Sequence, residues 1–249
     1  MPNNAYIITG AASNLGRAFV KSISLRSDAN LVATTRSSAR LSEFDERSGS
    51  LYLPGLDLLR EGDLASLVSA VRSFAGARFN IVNCSGYFPG FRGISETDPG
   101  VMRKVYEANV LTVYSVAHAL LPLMAERGGG HFVAFSSHAV LQSYPLMSAF
   151  TSAKAALESL IRSIANEFGR DGVTASAFAL ATIDCAQERE LSPNGDFEHW
   201  LKPEQVVQIV ESFVEGQSSA LNGNTIQMYN YSDTYFGQSY YDRIGRKLR

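Results

Sequence analysis

Two stretches hold residues whose types and spacing could do chemistry. TGAASNLGRA, positions 9 to 18, carries Gly10 and Gly16. After a strand, one glycine permits a tight turn and a second lets the next helix come close, so that N–H groups at the helix start face an anion. A nucleotide pyrophosphate is expected here, over Gly10, Ser13, Asn14, Leu15 and Gly16. An ordinary strand-to-helix turn would use glycines in the same way, so the motif needs support from elsewhere in the chain. SAFTSAKAAL, positions 148 to 157, sets Phe150 four residues before Lys154 at the start of an apolar helical pattern. An ammonium favours the ionised form of an acid beside it, but a phenylalanine ring has no proton to give.

The elements that must position these residues follow from periodicity. Short β-rich runs lie at 5–9, 30–35, 51–55, 79–84, 131–136, 173–179 and 225–228, each followed by turn residues or a helical pattern. Helical periodicity is clearest over 101–126 and over 153–169, where Gly169 and Gly172 close the helix; Pro203 stands as the first residue of a later one. This alternation predicts an α/β fold, a single doubly wound and mainly parallel seven-stranded sheet over 1–228, with helices on both faces and right-handed crossovers. The ligand crevice is expected at the carboxyl ends of the strands.

Composition narrows the partners. The chain has 249 residues, 45% of them hydrophobic, and a formal net charge of −2, which gives no long-range pull toward nucleic acid or anionic membrane. The most apolar stretch, VYSVAHALLPLM, is too short to span a bilayer. Two cysteines and an N-terminus without a basic-then-apolar leader read as a cytoplasmic protein without disulfides. No Cys/His cluster has zinc spacing, so no metal is expected. His118, within the apolar helix, reads as a core or interface residue.

From about Ala5 to Met228 the chain resembles the short-chain dehydrogenase/reductase family, which implies a Rossmann-type domain. TGAASNLG resembles the family's TGxxxGxG. The resemblance assigns Asp57 and Leu58, after the third strand, to the adenine end. It makes Asn83, Cys84, Ser85 and Gly86 the counterpart of the NNAG turn, and it adds Thr182 to the cofactor contacts. Asn109, Ser137 and Lys154 match three members of the Asn, Ser, Tyr, Lys tetrad, and position 150, where the family has its tyrosine, is Phe150. The resemblance implies that Ser137 bonds the substrate oxygen, Lys154 holds the nicotinamide ribose and Asn109 anchors a water relay. Loss of a positioned acid costs about 10²- to 10⁴-fold in rate. Three explanations stay open for Phe150: an engineered exchange, another proton donor, or abandonment of redox chemistry. Asn14, Cys84, Ala179 and Leu180 also depart from the family pattern.

At the end of the second strand, ATTRSSAR places Arg36 and Arg40 where NAD binders carry a carboxylate. A guanidinium suits a 2′-phosphate, so NADP(H) is the expected cofactor. Tyr144 is the first candidate to replace the missing phenol. His138, Asp184 and Cys185 are others, with Cys185 reading more simply as packing. Tyr87, Phe150 and Asp184 are expected at the substrate pocket. Three aromatics and Arg92 in GYFPGFRG suggest an organic ligand with a flat or apolar surface and an anionic group. Residues 229–249 form an aromatic and basic tail, expected to pack on a neighbouring subunit of a homodimer or homotetramer. The expected function is an NADP(H)-binding oxidoreductase acting on a small organic carbonyl or alcohol, with atypical proton transfer. The alternatives are a non-redox cyclase, dehydratase or isomerase on the same scaffold, or a nucleotide binder without turnover.

Overall fold

The structure is a computed structural model and describes residues 4–37, 49–74, 77–195, 197–216 and 219–230. Seven parallel strands form one sheet: β1 (Asn4–Thr9), β2 (Ala29–Thr35), β3 (Ser50–Pro54), β4 (Arg78–Asn83), β5 (Gly130–Ser137), β6 (Val173–Leu180) and β7 (Thr225–Met228). They lie in the order β3-β2-β1-β4-β5-β6-β7. The inner strands are near-continuous apolar runs because both of their faces are covered, whereas the edge strands β3 and β7 are short and only partly buried. The chain runs outward from β1 to β3 and returns to begin β4 beside β1. That reversal opens a crevice at the carboxyl ends of β1 and β4.

The helices are α1 (Asn14–Ser24), α2 (Glu61–Arg72), α3 (Pro99–Tyr106), α4 (Thr112–Glu126), α5 (Ala139–Gln142), α6 (Ser148–Phe168), α7 (Ala186–Leu191) and α8 (Pro203–Glu215). Leu67, Leu120 and Ile161, from α2, α4 and α6, pack with Ile7, Ile81 and Phe132 on one face of the sheet. Phe19 and Val210, from α1 and α8, pack with Tyr6, Ile8 and Phe178 on the other. Burial of each such side chain contributes roughly 1.5–3 kcal/mol.

Two helices differ from the sequence reading. The stretch expected as one helix over 101–126 runs from Pro99 to Glu126 as 28 residues, with a π turn at Glu107–Leu111 between α3 and α4. Joined in this way it is long and apolar enough by composition to cross a membrane, whereas the sequence reading judged only its most apolar stretch, VYSVAHALLPLM, and found that too short. Val113, Val116, Ala117, Leu120, Leu121, Leu123 and Met124 of that helix lie buried in the core. His118 is exposed and stacks on Tyr114 at 6.4 Å. Helix α6 starts at Ser148, five residues before the expected start. Ser148, Thr151 and Ser152 are weak helix formers that disguise its first turn, where the Thr151 hydroxyl donates back to the Met147 carbonyl at 3.0 Å.

Candidate functional site

The crevice leads into a cavity of about 390 Å³. Its first wall is the glycine turn. Gly10 adopts φ +64°, open to glycine, and a Cβ there would lie 2.6 Å from the Ser85 nitrogen. A Cβ on Gly16 would lie 2.3 Å from the Gly10 carbonyl, so this glycine lets α1 approach. Ser13 caps α1, its Oγ accepting from the Gly16 N–H at 3.0 Å. Ser13, Asn14 and Leu15 line the cavity, while Gly10 and Gly16 shape it from behind. A helix start brought against the strand end by two glycines fits a dinucleotide pyrophosphate.

The turn after β4 forms the next wall. Cys84, Ser85, Gly86 and Tyr87 line the cavity. Asn83 does not. Its carbonyl oxygen accepts from the Thr9 hydroxyl at 3.2 Å and its amide donates to the Val133 carbonyl at 3.1 Å, which ties β4 to both neighbours. Burial pushes the Cys84 thiol up, so the sulfur stays protonated and packs as a small apolar group. Asn109 sits within the π turn and is buried. Its amide donates to the carbonyls of Val105 at 2.8 Å and Tyr87 at 2.9 Å, and its Oδ1 accepts from the Tyr87 N–H at 3.4 Å. Asn109 therefore holds the turn that carries Tyr87. A Cβ on Gly86 would stand 3.1 Å from Asn109 Oδ1 and 3.7 Å from Lys154 Nζ, so both side chains crowd against bare backbone.

Ser137, Tyr144, Phe150 and Lys154 all face this cavity. Ser137 ends β5, and its Oγ accepts from the Ala139 N–H at 3.2 Å. Lys154 is buried, donates to the Phe135 carbonyl at 2.7 Å and lies 5.5 Å from the Phe150 ring centroid. Burial draws its pKa down to about 8, which leaves the ammonium charged at neutral pH. Tyr144 also borders a neighbouring cavity of about 570 Å³. It lies between Ser143 and Leu146, both in the left-handed region at φ 46° and 64°. His138 is turned away from the cavity, packing edge-on to Tyr229 at 5.6 Å.

Asp184 is corrected from a pocket residue to a clamp. Its carboxylate accepts from Arg189 at 2.6 and 2.9 Å and pairs with Lys202, and these partners hold it well below the usual carboxylate range. Asp184 thereby fastens the segment before α7 to the start of α8, while Cys185 and Thr182 reach the cavity. Where the family has Pro-Gly, Ala179 and Leu180 let β6 run on, and the Ala181 N–H donates to the Met228 carbonyl at 2.9 Å.

Arg36, Asp57 and Leu58 lie outside the cavity lining. Arg36 is exposed just past β2, and Leu58 is buried in the core. Asp57 Oδ1 accepts from the Leu59 N–H at 3.2 Å, and its Oδ2 lies 3.8 Å from Arg60. Arg40 and residues 231–249 of the tail fall outside the described residues. Of the tail, Tyr229 and Asn230 are described; Tyr229 packs on His138, and Asn230 donates to the Trp200 carbonyl at 3.2 Å and bonds Gln205. Sequence reasoning missed Met147 and Glu188 in the lining, because neither residue carries a motif. Among the described residues no group of three or more His, Cys, Asp or Glu side chains is placed to hold a metal.

Known proteins match this arrangement. A family model described as short chain dehydrogenase covers residues 4–195. The short chain dehydrogenase pigC of Monascus ruber is 30% identical over 208 residues, which are 80% of this chain and 68% of that protein. The 2-(S)-hydroxypropyl-CoM dehydrogenase 3 of Xanthobacter autotrophicus is 27% identical over 74% of this chain and 72% of its own length. An uncharacterized relative from Sinorhizobium fredii is matched over 43% of its length. Among solved structures, a short-chain type dehydrogenase/reductase from Mycobacterium ulcerans superposes with a TM-score of 0.80 at 20% identity, over 92% of this chain and 89% of that one. The L-sorbose reductase of Gluconobacter frateurii, solved with NADPH and L-sorbose, gives 0.77 at 22% identity, over 92% and 97%. The family model spans most of the chain and the solved structures share its fold, and the chain belongs to the short-chain dehydrogenases/reductases.

Proposed function

We propose that the protein is an NADP(H)-dependent oxidoreductase acting on a small organic carbonyl or alcohol, with a proton path that bypasses residue 150. The observation that carries this reading is the convergence of Lys154, Ser137 and the α1 N-terminus on one cavity. When bound, the nicotinamide supplies or accepts hydride. The chain's own residues do the rest. The Ser137 hydroxyl accepts from Ala139 and keeps its own proton to donate to the substrate oxygen. Lys154 is charged at neutral pH and held by Phe135, which suits it to the ribose hydroxyls. Asn109 fixes the Tyr87 turn, and Tyr144 or water gives the proton that Phe150 cannot. Arg36 favours a 2′-phosphate, and its sequence neighbours Thr35 and Ser37 are not carboxylates.

Phe150 favours a second reading, a cyclase, dehydratase or isomerase, or a nucleotide binder without turnover. Incubation with NADPH carrying deuterium at both C4 positions of the nicotinamide and a panel of small ketones and aldehydes separates them. The first reading expects deuterium in the alcohol product; turnover without transfer of label would contradict it. Leu111 and Tyr114, exposed on the long helix, support assembly as a homodimer or homotetramer; the tail proposed to pack on a neighbour begins after Asn230, because Tyr229 and Asn230 pack on their own chain. Light scattering of a chain ending at residue 230 tests this, because an unchanged number of subunits would exclude a role for the tail in assembly.

A further inference from the structure

One side of the cavity that Lys154 and Ser137 face is a connected aromatic surface. Phe88 packs edge-on to Phe91, with centroids 5.2 Å apart at 77°, and to Phe150, at 5.1 Å and 65°. Edge-to-face contacts lock the rings against one another. Tyr87, Tyr144 and Met147 line the same space. Phe150 is the junction, because its ring touches Phe88 and also lies 5.5 Å from the Lys154 ammonium. The residue at the position where the family has its acid is here part of an apolar wall.

The charges around this wall point to a neutral ligand. Among the described residues, Lys154 and Glu188 are the charged side chains that line the cavity. Arg92, which in the sequence suggests an anionic group, is exposed and outside that lining. Asp184 is taken up by Arg189 and Lys202. A carboxylate carried on a ring against Phe88 and Phe91 would lose its water without a second cation to pair with.

We infer that the cavity takes a flat, uncharged aromatic carbonyl compound, its ring against Phe88, Phe91 and Phe150 and its oxygen toward Ser137 and Lys154. The placement of the oxygen rests on the proposed function; the ring subsite does not. Phe150 acts as a specificity-determining residue in this site.

The test is calorimetric titration of the full chain without cofactor, using three probes of similar size: 2-acetylnaphthalene, 2-naphthoate, and the saturated 2-acetyldecalin. 2-Acetylnaphthalene is expected to bind at least about tenfold tighter than either of the others. Phe88→Ala should lower its affinity about tenfold, and Phe88→Leu, which keeps apolar bulk without a ring, should lower it by a lesser factor. Equal or tighter binding of 2-naphthoate or the decalin, no binding of any probe, or wild-type affinity in Phe88→Leu would overturn the inference. A parallel NADPH titration reads the proposed function separately. Aryl selectivity without NADPH binding would keep the subsite and remove the redox reading, while NADPH binding without aryl selectivity would do the reverse.

Discussion

At the scale of single residues the cavity gathers Asn109, Ser137 and Lys154 around Phe150. Lys154 is buried, charged at neutral pH and bonded to Phe135, and such an ammonium would stabilise a phenolate placed beside it. Phe150→Tyr should therefore raise NADPH-dependent carbonyl reduction by about 10²-fold or more, read as initial rates of NADPH oxidation. An unchanged rate would mean that Tyr144 already supplies the proton in full or that residue 150 does not face the reacting oxygen. The place of Phe150 was legible in the sequence from its spacing of four to Lys154, which puts both on one face of a helix. The fate of Asp184 was not legible. One of its partners, Lys202, lies eighteen residues further along, and no local pattern reveals such a pairing.

At the scale of elements, the glycine turn matters through distance. An alanine at residue 16 would bring its Cβ within 2.3 Å of the Gly10 carbonyl, which is backbone and cannot step aside. Gly16→Ala should push α1 from the sheet and cost roughly 1–3 kcal/mol. Melting is then expected several degrees lower, together with weaker NADPH binding, and a variant with unaltered melting and affinity would contradict the close approach. The seven strands could be read ahead because apolar β-rich runs between turns are a strong signal. The π turn could not, since periodicity over 101–126 reads as one uninterrupted helix. The structure uses that turn to aim Asn109 at Tyr87.

At the scale of the whole molecule, acid sensitivity should come from a residue far from the chemistry. His131 is the second residue of β5 and is 2% exposed. Neither ring nitrogen has a hydrogen-bond partner among the described residues, and the ring packs edge-on to Phe213 at 5.7 Å. Burial, and then the charge of Arg78, draw its pKa down to about 4. In the unfolded chain the value is about 6.5. Between these values the unfolded state binds more protons, so stability falls as pH drops through about 6.5 and is lost progressively to about 4, by roughly 3 kcal/mol in all. Chemical denaturation of wild type and His131→Phe across this range checks it. The variant's profile should be flatter, and parallel profiles would remove His131 as the cause. The central claim concerns the nucleotide. Calorimetric titration with NADPH and NADH tests it most directly. The account predicts that NADPH binds at least about tenfold tighter and that Arg36→Ala erases the preference, since a phosphate-guanidinium pair carries it. Absence of binding by both nucleotides, or tighter binding of NADH, would contradict it.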